Sequence, residues 1–151
     1  MPARFLKRRR QLLIVAGLLC AGPALHAQPV WPAIPALSTL LAGRTLLSGR
    51  VAIEIPKLAD NGNSVPLTVI VDSPMSERDR VVAIHLFSER NPRPRMASVA
   101  FGPDVGRALL ATRVRLAGTQ HIVAVAEMAD GALWGAVTEV IVTQSACVDD
   151  I

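Results

Sequence analysis

The sequence predicts an all-β protein, an antiparallel β-sandwich of about seven strands with one short N-terminal helix. From Val51 onward, apolar and polar residues alternate with the two-residue period of β-strands. The alternating segments are short, and turn sequences separate them at the spacing typical of sandwiches. Only one segment, before Gly43, has the periodicity of a helix.

Each predicted element has a local signal. Three leucines fall on one side of a helix over residues 36–42, which Gly43 is placed to end. Strands are predicted at residues 51–55, 67–72, 82–87, 96–101, 107–116, 121–128 and 133–143. Turn residues lie between them, and Asp60-Asn61-Gly62 marks a turn after the first strand. Asp130 followed by Gly131 is a strong hairpin signal before the last strand.

Two of these strands, around residues 81–87 and 122–128, carry apolar residues on both faces. One face fits the core of the sandwich, so the other needs a cover. A monomer seldom exposes a large contiguous apolar sheet. We therefore expect a partner protein to cover part of it, with the protein's own N-terminal helix as the alternative.

The segment from Met1 to Ala27 is predicted to be an export signal peptide. A basic start containing Arg9 and Arg10 precedes an uncharged run over residues 12–25, and Ala27 offers a cleavage point. Both the Sec and the twin-arginine routes fit this start. The apolar run is short of the roughly 20 residues of a membrane span and contains Pro23. We expect a periplasmic protein with no stable membrane anchor.

The charge of the mature chain argues against nucleic-acid binding. The 151-residue chain has 16 Lys and Arg residues and 12 Asp and Glu residues. Five of the basic residues lie in the leader, so 11 basic residues remain against 12 acidic ones and the formal charge is −1. A nucleic-acid binder usually keeps a basic excess of its own. The chain that follows the leader is long enough for one compact domain.

Cys147 is the main candidate for chemistry. The other cysteine, Cys20, lies in the leader and is lost on cleavage. A single cysteine in an exported protein forms no internal disulfide, so its thiol is free, paired between chains, or an attachment point. Near the end of the chain it is suited to reach into the site of another protein.

Several stretches are distinctive in their order and spacing. They are ADNGNSVP at 59–66, VDSPM at 71–75, AIHLF at 83–87, Asn91-Pro92, TRVRLA at 112–117, Thr119-Gln120 and VAVAEMADG at 123–131 with Trp134 after it. Together they resemble SoxY, the sulfur-carrier subunit of the bacterial periplasmic thiosulfate-oxidising system. The resemblance implies an immunoglobulin-like sandwich that forms a heterodimer with a second subunit, SoxZ. It also implies a C-terminal thiol that holds sulfur intermediates while partner enzymes act on them.

The tail departs from the family pattern, which is Gly-Gly-Cys-Gly-Gly. Here Cys147 is in register, but Ser145, Ala146, Val148 and Asp149 replace the four glycines, and the chain continues to Ile151. Val148 is stiffer than glycine. The acidic residues after the cysteine oppose thiolate formation. The resulting domain assignment is a leader at 1–27, an N-terminal extension at 28–49, a SoxY-like sandwich at 50–143 and a flexible tail at 144–151.

Other polar residues give weaker signals. His85 and His121 are the only histidines after the leader, too few for a metal site, and we interpret them as strand-surface or interface residues. Arg90, Arg93 and Arg95 surround a proline-rich turn. We interpret them as a solvated loop, with attraction of an anionic sulfur species or an acidic partner as the alternative. No phosphate, flavin or nicotinamide motif is present, so no cofactor is expected.

Two functions follow from these observations, and neither is that of an independent enzyme. In the first, Cys147 covalently binds thiosulfate-derived intermediates and presents them to partner enzymes. In the second, the protein is a non-carrier subunit that pairs with a SoxZ-like protein in another periplasmic oxidation system.

Overall fold

A computed structural model describes residues 29–146, which form one helix and nine strands. The strands are arranged in two sheets. The elements are α1 (Pro35–Leu41), β1 (Leu46–Ser48), β2 (Val51–Glu54), β3 (Leu58–Ala59), β4 (Val65–Val71), β5 (Val81–Ser88), β6 (Arg95–Ala100), β7 (Leu109–Val114), β8 (Gln120–Met128) and β9 (Leu133–Val142). The predicted leader, Cys20 and Cys147 lie outside the described residues. No helix within residues 29–146 is long and apolar enough to cross a bilayer.

The larger sheet has the strand order β1-β9-β8-β5-β6, and β3 also pairs with β9. The smaller sheet has the order β2-β4-β7. The prediction of an all-β sandwich with a short N-terminal helix is therefore confirmed. Each of the seven predicted strands matches one of β2 and β4–β9, with ends shifted by a few residues.

The prediction was incomplete in strand number and direction. β1 and β3, two short strands that were not predicted, pair in parallel with the two ends of β9, whereas the other ladders are antiparallel. A strand of two or three residues is too short for its periodicity to be detected. It forms because β9, at ten residues, offers hydrogen-bonding groups along its whole edge.

The core between the two sheets is built by the alternation that the sequence shows. On β4, Val65, Leu67, Val69 and Val71 are buried, while the residues between them are partly or fully exposed. From the other sheet, β5 and β8 add apolar side chains such as Ile84 to the same cluster. The two-residue period of a strand sends these side chains to one face.

The outer face of the larger sheet is covered by the chain itself. Phe87, Val123 and Val125 are fully buried, and they form a second cluster with Ile34 and Leu37 of the α1 segment. The expectation that a partner protein helps to cover these residues was therefore wrong, and the alternative is confirmed. The apolar side of α1 needs a surface to pack on, and this sheet face provides it.

Candidate functional site

The site begins at the residue that precedes the predicted attachment cysteine. Cys147 follows directly on Ala146, the last described residue. Ala146 is therefore the described residue nearest in sequence to the predicted attachment point.

Residues 144–146 are hydrogen-bonded to the sandwich. The Gly62 amide donates to the carbonyl of Gln144 at 2.8 Å, and the Ala146 amide donates to the carbonyl of Leu116 at 3.0 Å. Ala146 is only 2% exposed. The first three residues of the predicted tail are thus attached to the end of the sandwich.

Gly62 makes this attachment sterically feasible. A Cβ atom at this position would lie 2.4 Å from the Leu116 carbonyl oxygen and 2.9 Å from the Ala146 nitrogen. The φ angle of Gly62 is not positive, so the requirement concerns space rather than backbone conformation. The turn predicted at residues 60–62 is thus also the part of the sandwich to which the C-terminal segment is hydrogen-bonded.

A cleft of about 510 Å³ opens beside Ala146, between the edge strands β6 and β7 of the two sheets. Its lining residues are Asn91, Pro92, Arg93, Arg95, Met96, Ala97, Thr112, Arg113, Val114, Arg115, Ala117 and Ala146. We call it the arginine cleft. Its described lining contains four arginines and no Asp or Glu, so it presents a concentrated positive charge.

The loop that carries Arg93 is held by a network of amide side chains. Asn91 donates to the carbonyl of Arg115 at 2.8 Å and accepts from the amide of Ala117 at 2.9 Å. The buried Gln120 side chain donates to Asn91 at 3.0 Å. These bonds tie the loop at residues 91–94 to the β7–β8 loop, so the two sides of the cleft are held together.

The arginines of the cleft are only partly engaged. Arg113 donates from Nε and Nη2 to Ser64 at 2.6 and 2.8 Å, and Ser64 is uncharged. The guanidinium carbon of Arg95 lies 5.6 Å from the centre of the Phe87 ring. Arg93 has no ion pair with any residue in the range 29–146. Anion-binding capacity therefore remains in the cleft.

Two of the three arginines singled out in the sequence line this cleft. Arg93 and Arg95 do so, whereas Arg90 donates to the carbonyl of Thr119 instead. Arg113 and Arg115 were not predicted as site residues. Their alternation in the predicted strand at residues 107–116 placed both on one side of it, but only the sandwich brings that side next to the turn at residues 91–94.

The two histidines lie apart. His85 is buried, with Nδ1 2.9 Å from Ser98 Oγ and Nε2 3.5 Å from Glu127 Oε2. His85 pairs with Val125 across the sheet, so His121 lies four residues along β8, about 13 Å away. The described part of the chain contains no group of three or more His, Cys, Asp or Glu residues arranged to hold a metal ion.

His121 forms a separate pair with Glu89. Its Nδ1 lies 2.8 Å from Glu89 Oε2, and its backbone amide donates to the same oxygen at 3.2 Å. The side-chain bond is the largest of the influences that hold the pKa of Glu89 below its usual value of 4.5, and the backbone bond is the next. This pair closes the loops at one end of β5 and β8 and is not part of the arginine cleft.

Comparisons with known proteins agree with this geometry. The structure is similar to that of the sulfur carrier protein SoxY from Chlorobium limicola f thiosulfatophilum, with 28% identity, 70% of this chain and 87% of that chain covered, and a TM-score of 0.59. It is also similar to the superoxide reductase (neelaredoxin) of Ignicoccus hospitalis, with 18% identity, 66% and 97% coverage and a TM-score of 0.58. The second likeness shows a shared fold alone.

At the level of sequence, a search of curated proteins finds no significant match. The family model described as "Sulfur oxidation protein SoxY" matches residues 37–147. The match takes in the sandwich, the attached C-terminal segment and the cysteine that follows it. The chain belongs to the SoxY family of sulfur oxidation proteins.

Proposed function

We propose that the protein is a sulfur carrier, in which Cys147 covalently binds thiosulfate-derived intermediates and presents them to partner enzymes. The observation that carries the proposal is the family match, which runs through the whole sandwich and ends at residue 147. The solved structure of 28% identity is also that of a sulfur carrier protein. Cys147 is the only cysteine outside the proposed leader.

The attachment reaction is an oxidation. The Sγ atom of Cys147 forms a disulfide bond with the terminal sulfur of thiosulfate, and the thiol proton passes to solvent. Two electrons leave the pair of sulfur atoms, and a partner oxidoreductase accepts them. The product ends in a sulfonate group, and further partner enzymes oxidise or hydrolyse it.

The sandwich supplies presentation in this proposal, while turnover belongs to the partners. Ala146, the residue before the attachment cysteine, is held to the sandwich by its bond to Leu116. We propose that the chain is exported to the periplasm by the Sec or the twin-arginine route. There it forms a heterodimer with a SoxZ-like subunit, which leaves the tail end of the sandwich accessible to enzymes.

The second candidate is a non-carrier subunit that pairs with a SoxZ-like protein in another periplasmic oxidation system. The observation that favours it is the sequence of the tail. Ser145 and Ala146 precede the cysteine, and Val148 and Asp149 follow it, where the family pattern has glycines. A bulkier and more acidic tail is less suited to a narrow active-site channel.

Intact-mass analysis tests the two candidates directly. The mature protein is isolated from the periplasm of thiosulfate-oxidising cells and measured before and after reduction. The carrier proposal requires a reductant-labile mass increment that maps to Cys147 and is absent from Cys147→Ser. It also requires that Cys147→Ser abolishes thiosulfate oxidation while the SoxZ-like subunit still copurifies. Full thiosulfate oxidation by that variant would favour the non-carrier subunit.

A further inference from the structure

We propose that the arginine cleft binds a sulfur oxyanion, the sulfonate end of the group attached at Cys147. This inference rests on the proposed carrier function and adds to it a recognition site within the carrier itself. The cleft would hold the charged end of the attached compound against the sandwich between visits to partner enzymes. A tetrahedral sulfonate offers three oxygens, which suits guanidinium groups converging from more than one strand.

The charge of the cleft favours an anion. Arg93 and Arg95 come from the β5–β6 side, and Arg113 comes from β7. These three side chains are exposed and form no ion pair within the described residues. The described lining contributes no carboxylate. Like charges held on facing edge strands repel each other, and an anion between them relieves that repulsion.

The geometry of the cleft is fixed without a ligand. Asn91 is bonded to Arg115, Ala117 and Gln120, and the amide of Ser88 donates to the carbonyl of Pro94 at 2.8 Å. The loop that carries Arg93 is therefore held at both ends. A site held in this way loses little conformational entropy when an anion binds.

The position of the cleft relative to the cysteine selects the attached compound as the occupant. Ala146 lines the cleft. Cys147 is the next residue along the chain, and the acidic residues Asp149 and Asp150 are two and three residues farther along. The sulfonate would therefore be attached at the residue that directly follows a lining residue of the cleft.

The test measures free anions, so that no covalent step is needed. The mature Cys147→Ser protein is titrated with sodium sulfate and sodium thiosulfate at constant ionic strength, and NMR follows the amide and arginine Nε–H signals. We expect saturable shifts confined to residues 91–97 and 112–117. In this background, Arg93→Gln is expected to weaken binding about three- to tenfold, because one charge-assisted donor is lost.

The matched control is Arg78→Gln. Arg78 is also exposed, but it lies in the β4–β5 loop, at the opposite end of β5 from the cleft. This variant should leave the affinity unchanged. Equal weakening by both variants, or the absence of saturable shifts in the cleft, would overturn the proposal, since general charge screening would then explain the titration.

A further variant, Asp149→Asn with Asp150→Asn, identifies the occupant. If the acidic tail fills the cleft, the double variant will itself shift the arginine signals and raise the affinity for sulfate more than about tenfold. That result would assign the cleft to the tail and overturn the proposal. Unchanged arginine signals would support it. Because the intact-mass experiment measures loading separately, failure of the cleft and failure of the carrier function are distinguishable.

Discussion

Replacement of Gly62 by alanine is the most direct way to perturb the hydrogen bonds that hold residues 144–146 to the sandwich. The added methyl group has to occupy space between two backbone atoms. One is the Leu116 carbonyl oxygen, 2.4 Å from the ideal Cβ position, and the other is the Ala146 nitrogen at 2.9 Å. Neither atom belongs to a side chain that can rotate away. The backbone itself has to move.

The size of the effect follows from the bonds that this movement strains. The contact with Leu116 has to lengthen from 2.4 Å to at least 3.0 Å. The Leu116 carbonyl accepts from Ala146, and the Leu116 amide donates to Gly62 at 2.9 Å, so two hydrogen bonds are weakened. Each contributes about 0.5–1.5 kcal/mol net, and overpacking of a buried position costs about 1–3 kcal/mol. We expect Gly62→Ala to lower the free energy of unfolding by about 2–4 kcal/mol.

Urea unfolding and hydrogen exchange measure the two consequences. The unfolding midpoint should fall, and the Ala146 amide should lose protection earlier than the amides of β5 and β8. Gly102→Ala is the matched control, because a Cβ atom at Gly102 meets nothing within 4 Å. That variant should stay within about 0.5 kcal/mol of the parent. Equal stability of the two variants, with the Ala146 amide equally protected, would refute the reasoning.

Two further predictions concern stability. Leu37→Ala, which removes a 2% exposed side chain from the buried side of α1, should lower the free energy of unfolding by about 2–5 kcal/mol. Val30→Ala, at 91% exposure, should change the free energy of unfolding by less than about 0.5 kcal/mol in the same urea titration. Equal losses of stability in the two variants would argue against the packing of α1 on the outer face of the larger sheet. The lowered pKa of Glu89 stabilises the fold above pH 4.5, and this contribution is lost as the pH falls through the folded-state value. Glu89→Gln should therefore flatten the decline in stability below pH 4.5, measured by urea titration at a series of pH values, and an unchanged decline would contradict the pairing with His121.

The seven long strands were predictable because each carries its own period. Residues of β4 alternate between core and surface, and the same alternation is visible in the sequence. β1 and β3 were not predictable, because their pairing depends on β9, which lies far along the chain from both. The prediction that a partner protein helps to cover Phe87 was wrong for a related reason. A short helix in the sequence does not reveal which face it packs on.

The candidate site divides in the same way. The family was predictable from motifs, and Arg93 and Arg95 were visible as neighbours in one turn, whereas Cys147 stays a predicted attachment residue. Their meeting with Arg113 across two sheets required the tertiary structure, since no local pattern encodes the distance between two edge strands. The role of Gly62 was visible only as a turn signal. Its contact with the C-terminal segment is a long-range approach.

One loop connects the two halves of the site. Leu116 receives the bond from Ala146, while its neighbours Arg115 and Ala117 form the bonds to Asn91. Ala146 and the loop bearing Arg93 are thus both bonded to three consecutive residues. Weakening the Ala146 bond with Gly62→Ala should therefore loosen the Ala146 side of the cleft, while the Asn91 bonds keep the loop bearing Arg93 in place. Anion binding by the arginines in the Cys147→Ser background should survive the substitution.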